Sequence, residues 1–256
     1  MTAFEELPPR AAKKRFQAQM LINLFAGIRP LQPGEMILDL GCGDGSMLET
    51  LRENGLDVRG CDFSKRLEPR SHRTHVVPIE TDPFHLPFPD RSFDVLYSWQ
   101  VLEHVLDLAR VLEENRRILK PGGIALHIFS GRYSLMEPHV RVPLATMVRA
   151  RWWLGLWAVL GIRSEHQAGK GAREVARLNF AYLASQTRYP RRATILRQAR
   201  RAFPAAEFRE DLFIDLGTSR RSKIVQRIAA MSPVLRRLIG RIFLVRMSQT
   251  RVLVLK

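Results

Sequence analysis

With 256 residues and 46% hydrophobic content, the chain is long enough for one large globular domain or for a core domain with an insertion. Cys42 and Cys61 are its only cysteines, which excludes a disulfide framework and any Cys/His spacing suited to zinc, so reduced thiols, a cytosolic setting and no bound metal are expected. The charge of +16 is unevenly placed: residues 1–130 hold 16 Lys+Arg against 18 Asp+Glu and residues 131–256 hold 25 against 7, so the second half carries +18 and predicts an anionic partner, or else an arginine-rich solvated face.

The N-terminus lacks the basic start, apolar middle and cleavage site of a secretory signal. Phe16, Met20, Leu21, Leu24 and Phe25 fall at helical spacing within residues 10–27, and the Pro30–Gly34 turn follows. "MILDL" (36–40) reads as a short buried strand, and Met47–Asn54 as a helix ended by Gly55. "LDVRGCD", "HVVPIE", "FDVLYSW" and "GIALHIFS" read as further strands, with a helix over Val105–Leu119 stopped by Lys120, Pro121 and Gly122. This alternation predicts an α/β, doubly wound parallel sheet. Beyond Ser130 the rhythm changes to arginine-rich helical stretches from Pro143 to Phe203. "EFREDLFIDL" and "TRVLVLK" are expected to be two final strands, and between them, within residues 222–247, "PVLRRLIGRIFLVRM" reads as a basic amphipathic helix.

"LDLGCGDGS" (38–46) is a glycine-rich turn between the first strand and a helix. A dinucleotide turn places its third glycine three residues after the second, where this chain has Ser46. Asp39 and Asp44 would also repel a pyrophosphate. A ligand with an ammonium group and a sulfonium has the complementary sign, and its carboxylate can accept N–H bonds from the turn and the helix N-terminus. Asp62, at the end of the second strand, is placed to take both hydroxyls of a ribose.

Four runs stand in order: "ILDLGCGDG", "VRGCDFS", "ETDPFHLPFPDRSFDVLYSWQVLEHV" and "EENRRILKPGGIALHI". Together they resemble a class I S-adenosylmethionine-dependent methyltransferase of type 11, the ubiquinone-biosynthesis-like group, over Met36 to about Ser134. The resemblance implies a Rossmann-like, seven-stranded sheet whose last strand, "TRVLVLK", is antiparallel, with a helical insertion after the fifth strand. It implies an N-terminal helical cap (1–35), a cofactor-binding core (36–134), a helical acceptor or lid insertion (135–204) and a final unit (205–256). It puts Asp39 and the Gly41/Gly43 turn at the methionine end of the cofactor, Asp62 on the ribose, and Phe63 against the adenine. Asp82 would meet the adenine amino group with Phe84 beside it, and Ser98 and Trp99 would line the methionine side. His104 lies in the family's "LEHV" segment, where fixing the start of a helix and taking part in catalysis are both open.

Methyl transfer from a sulfonium is a direct displacement that needs alignment and exclusion of water, and a hydroxyl acceptor also needs a base. Of the seven histidines, His139 in "SLMEPHVRVPL" follows the fifth strand, where such a sheet places its acceptor. His139 is expected to be the base and Glu137 its orienter or a hydroxyl ligand, with a capped Glu-Pro turn as the alternative. The segment also resembles one in bacterial methyltransferases of surface-polysaccharide and glycolipid clusters. "RWWLGLWAVLGIR" (151–163) is too short for a bilayer span of about 20 residues but suits an interfacial segment or a lid. The expected acceptor is therefore a small molecule, glycan or lipid-linked sugar at the cytoplasmic, anionic membrane surface. A nucleic-acid substrate and a catalytically silent cofactor-binding subunit are the alternatives.

Overall fold

The computed structural model describes residues 9–63, 75–80, 84–216, 220–241 and 250–256. β1 (Met36–Leu40) pairs in parallel with β2 (Asp57–Phe63) on one side and with β4 (Phe93–Trp99) on the other. β3 (Val76–Ile79) extends the sheet beyond β2, and β5 (Leu119–Ser130) extends it beyond β4, both in parallel. β7 (Thr250–Leu255) lies antiparallel to β5, and the two-residue β6 (Glu207–Phe208) closes the edge against β7. The resulting order, β3-β2-β1-β4-β5-β7-β6, reverses at β1 and β4, and such a reversal leaves a crevice outside the strands' carboxyl ends. The expected seven-stranded, Rossmann-like sheet with an antiparallel terminal strand is what forms.

Strand periodicity sends alternate side chains to opposite faces. Ile37, Val95, Tyr97 and Leu126 meet Leu21, Leu24, Phe25 of α1 (Pro9–Ala26) and Leu48, Leu51 of α2 (Ser46–Glu53). Leu38, Leu96, Ala125 and Phe129 meet Val111, Leu112, Ile118 of α3 (Leu108–Ile118) and Ile195, Ala199 of α6 (Arg192–Ala202). A third cluster stands apart. Leu154 of α4 (Arg151–Val159) joins Ala176 and Leu183 of α5 (Ala172–Gln186), closed by Val140, Val142 and Ala145 from the preceding loop.

Two expectations need correction. The helix expected over Val105–Leu119 begins at Leu108, because Asp107 caps it by accepting from Arg110 N at 3.1 Å, and a separate 3₁₀ turn occupies Leu102–His104. "EFREDLFIDL" forms only the two residues of β6, followed by a 3₁₀ helix over Glu210–Leu216. Its carboxylates account for the change: buried Glu210 is held by Arg192 and Arg251, and Asp211 by Arg209 and Arg236. The amphipathic helix expected from Pro233 starts there as α8 (Pro233–Ile239), capped by Ser232, and a separate α7 (Arg220–Ala230) precedes it, which Pro233 cannot continue. The stretch 242–249 of that expectation lies outside the described residues.

Candidate active site

The glycine turn takes a left-handed path, with φ of +81° at Gly41, +58° at Gly43 and +70° at Gly45. Gly41 N and Cys42 N both donate to Cys61 O, which fastens the turn to β2. Val101 lies over Gly41 so closely that a Cβ there would overlap its Cγ2 methyl, whereas a Cβ on Gly43 would meet nothing within 4 Å. Asp44 accepts from Ser46 N at 3.1 Å and so steadies the start of α2.

Asp62, at the end of β2, is 4% exposed. Its Oδ2 accepts from Gly43 N at 2.6 Å and its Oδ1 from Phe63 N at 2.7 Å. A carboxylate offers about four lone-pair positions, so one on each oxygen remains for a diol such as a ribose. Asp39, 2% exposed, lies on the neighbouring strand. Burial raises its carboxyl to about 7, with Asp62 adding, against the nearby Tyr97 hydroxyl and the charge of Lys14. Burial likewise pushes both cysteine thiols up, and they stay neutral under the turn. The open face at Gly43, the two-oxygen acceptor at Asp62 and the buried carboxyl at Asp39 together fit a cationic amino-acid nucleoside.

Phe63 and Phe84 are both partly buried and pack against the same core cluster. The loop carrying Phe84 is pinned to α3: Glu114 Oε2 accepts from Leu86 N at 2.8 Å, and Arg117 donates to the carbonyls of Leu86 and Phe88 at 2.7 and 2.8 Å. Asp82 lies outside the described residues. Trp99 is half-buried at the end of β4. Ser98 is turned the other way: it is fully buried, and its Oγ lies 2.7 Å from His127 Nδ1, whose ring also reaches Asn115 Nδ2 at 3.1 Å. Its hydroxyl is therefore committed to the core and not to the crevice. Burial lowers His127 to about 3, and the ring is neutral at ordinary pH.

Past Val101 the chain enters the 3₁₀ turn that carries Glu103 and His104, and this turn meets the loop after β5. Glu137 is fully buried and accepts four hydrogen bonds, from His139 N (2.8 Å), Val140 N (2.7 Å), His139 Nδ1 (2.7 Å) and Tyr189 Oη (2.6 Å). Burial pushes its carboxyl up, but the bonds from His139, Tyr189 and Val140 together bring it below its ordinary value. His139 packs edge-to-face on His104, ring centroids 4.8 Å apart, and His104 Nδ1 lies 2.7 Å from Gln186 O. The structure thus brings His104, Glu137 and His139 together. Sequence reasoning missed two members of the group. Tyr189 lies 52 residues past Glu137. Glu103, 1% exposed, accepts from Ser130 N through Oε1, while no hydrogen-bond partner for Oε2 is found among the described residues. Burial raises the Glu103 carboxyl to about 7.

Residues 38–127 match the family model described as "Methyltransferase domain". The chain carries a class I, S-adenosylmethionine-dependent methyltransferase domain. It is 33% identical over 112 residues to 27-O-demethylrifamycin SV methyltransferase of Amycolatopsis mediterranei (strain S699), covering 40% of this chain and 41% of that protein. It is 35% identical over 108 residues to 2-methyl-6-phytyl-1,4-hydroquinone methyltransferase of Synechocystis sp. (strain ATCC 27184 / PCC 6803 / Kazusa), covering 39% and 33%. The matches therefore span well under half the length of these curated relatives. Among solved structures, an S-adenosylmethionine-dependent methyltransferase from Mesorhizobium loti shares the fold at a TM-score of 0.52 and 20% identity, over 90% of this chain and 94% of that one.

Proposed function

We propose that this protein moves the methyl group of S-adenosylmethionine to a hydroxyl of a glycan, a lipid-linked sugar or another lipid-like acceptor, at the anionic, cytoplasmic surface of a membrane. The observation that carries the reading is the pairing of His139 with buried Glu137 next to the crevice. A histidine whose Nδ1 is turned to a carboxylate presents Nε2 as the proton acceptor, and the carboxylate stabilises the imidazolium that results. Bound S-adenosylmethionine supplies a methyl carbon on a sulfonium, so the C–S bond breaks to a neutral thioether as the C–O bond forms. Asp62 and Phe63 hold the nucleoside end, the Gly41/Gly43 turn and Asp39 receive the amino-acid end, and His139 takes the acceptor's proton at Nε2. Glu137 and Tyr189 keep the imidazole oriented.

The lipid-like character of the acceptor is supported by the outer face of α4. Trp152, Leu156, Val159 and Leu160 are all exposed and fall on one stripe, opposite Leu154 and Ala158, which are buried. Among the described residues no helix is long and apolar enough to cross a membrane, so such a stripe would lie in the headgroup region, with the +18 of the second half drawing it to anionic lipid. Relatives named for a rifamycin, a phytyl hydroquinone and a demethylmenaquinone support a small acceptor. The test is incubation with methyl-labelled cofactor and fractionated extract. Label in an organic or glycan fraction, lost on His139→Ala, is the expected result, and label in purified RNA would replace this reading with a nucleic-acid substrate. In parallel, the protein should sediment with phosphatidylglycerol vesicles at low salt and release at high salt.

A further inference from the structure

We infer that Glu103, His104 and His139 form a binding site for one divalent transition-metal ion, with nitrogen and oxygen ligands and open positions toward the acceptor. This deepens the reading of the same cluster as the acceptor side of the crevice and rests on it. One ligand atom from each of the three residues can be chosen so that all lie within 4.8 Å of one another. The distances are those of a donor set that needs only small side-chain movements to close on an ion with bonds of about 2.0–2.2 Å.

Two further observations point to a cation here. The first is Glu103 Oε2, an acceptor oxygen on a side chain that is 1% exposed, with no hydrogen-bond partner among the described residues. A buried oxygen left without a partner is destabilising, and a metal–oxygen bond would satisfy it. The second is the outer bonding of both imidazoles. His139 Nδ1 is 2.7 Å from Glu137 Oε1, and His104 Nδ1 is 2.7 Å from the carbonyl oxygen of Gln186. Metal-ligating histidines are held in just these two ways, by a carboxylate or by a backbone carbonyl on the far nitrogen, which fixes Nε2 as the ligand atom. The Tyr189 hydroxyl, at 2.6 Å, in turn holds the orienting carboxylate.

Two imidazoles and one carboxylate form the donor set of open-sided zinc, iron(II), cobalt and manganese centres, in which water or a substrate oxygen completes the shell. An acceptor hydroxyl bound there would lose its proton more readily. With the ion in place, His139 Nε2 is a ligand and no longer the base, so the metal-bound and metal-free proteins activate the acceptor differently. Sequence spacing did not suggest this site, because His139 joins the adjacent Glu103 and His104 only through the fold.

The experiment is a cobalt(II) titration of the full chain after dialysis against chelator, read by visible absorption and by metal content after gel filtration. One equivalent, with the absorption of a nitrogen/oxygen-ligated ion, is expected. Glu103→Gln and His139→Ala should each abolish it, while Glu137→Gln should weaken affinity about 10- to 100-fold by removing the outer bond. His166→Ala, an exposed histidine of a distant 3₁₀ turn, should leave it unchanged. Circular dichroism checks that each variant folds, and His139, part-exposed, is the substitution least able to disturb the core. No stoichiometric binding, or binding that survives His139→Ala in a folded protein, overturns the inference. Methyl transfer without cobalt binding would remove the metal site and leave the transferase reading standing; cobalt binding without transfer would do the reverse.

Discussion

Gly41 and Gly43 share a turn and a positive φ, yet replacing each with alanine should do different things. Both substitutions put a Cβ on a left-handed residue, at about 1–2 kcal/mol, and both recover about 0.4–1 kcal/mol by stiffening the unfolded chain. At Gly41 the new methyl also overlaps Val101 Cγ2 and sits 3.5 Å from Val101 Cβ and Cγ1, an overpacking that costs about 1–3 kcal/mol more. At Gly43 nothing lies within 4 Å, so the methyl enters the open face proposed to receive the cofactor's amino-acid end. Gly41→Ala is therefore expected to be less stable than Gly43→Ala by about 1–3 kcal/mol, measured as a lower urea midpoint at unchanged slope. Calorimetric titration with S-adenosylhomocysteine should show the reverse ranking per unit of lost stability: Gly43→Ala folds nearly as well as the parent and binds markedly more weakly. Equal midpoints for the two variants would refute the role given to Val101. Parent-like binding by Gly43→Ala would refute the placement of the cofactor.

Two pH dependences follow from buried groups. His127 has its folded pKa lowered to about 3 from 6.5, so stability is full above pH 6.5 and falls as the pH drops toward 3, by up to about 1.4 kcal/mol per pH unit from this group. His127→Gln should flatten the slope of unfolding free energy between pH 6 and 4, and an unchanged slope would show that the ring titrates freely. Asp39, raised to about 7, must lose its proton to meet a cationic ligand, so affinity for S-adenosylmethionine should rise with pH up to about 7 and then level off. Asp39→Asn should remove that rise in a titration series from pH 5.5 to 8.5, and a parent-like pH profile would separate Asp39 from the ligand.

The sheet was legible because its strands are short, apolar and punctuated: "MILDL" and "FDVLYSW" are strands β1 and β4 to the residue. Legibility failed where charged side chains found partners far along the chain. "EFREDLFIDL" alternates like a strand, but Glu210 is claimed by Arg192 and Arg251, and that pairing is tertiary information. The family resemblance put Ser98 in the crevice, yet alternation along β4 turns it into the core, where its hydroxyl meets His127 of β5. In the candidate site, Glu137 and His139 were visible as neighbours in sequence. Glu103 was not, since a lone glutamate beside a histidine carries no signal until its carboxylate is seen buried with an oxygen to spare.

The hairpin of α4 and α5 closes its own apolar cluster, and several hydrogen bonds tie its C-terminal end to the turns that follow β4 and β5. They run from Arg188 N to Glu103 O, from Arg132 to Tyr189 O, and between His104 and Gln186 O. Substitutions on its far side share no packing with the strands, so their energetic effects should add to those in the sheet instead of coupling with them. The α4/α5 layer is in this sense modular. It can drift in shape and chemistry at little cost to the folding of the cofactor platform, and the methyltransferase family match ends at residue 127, before this layer begins.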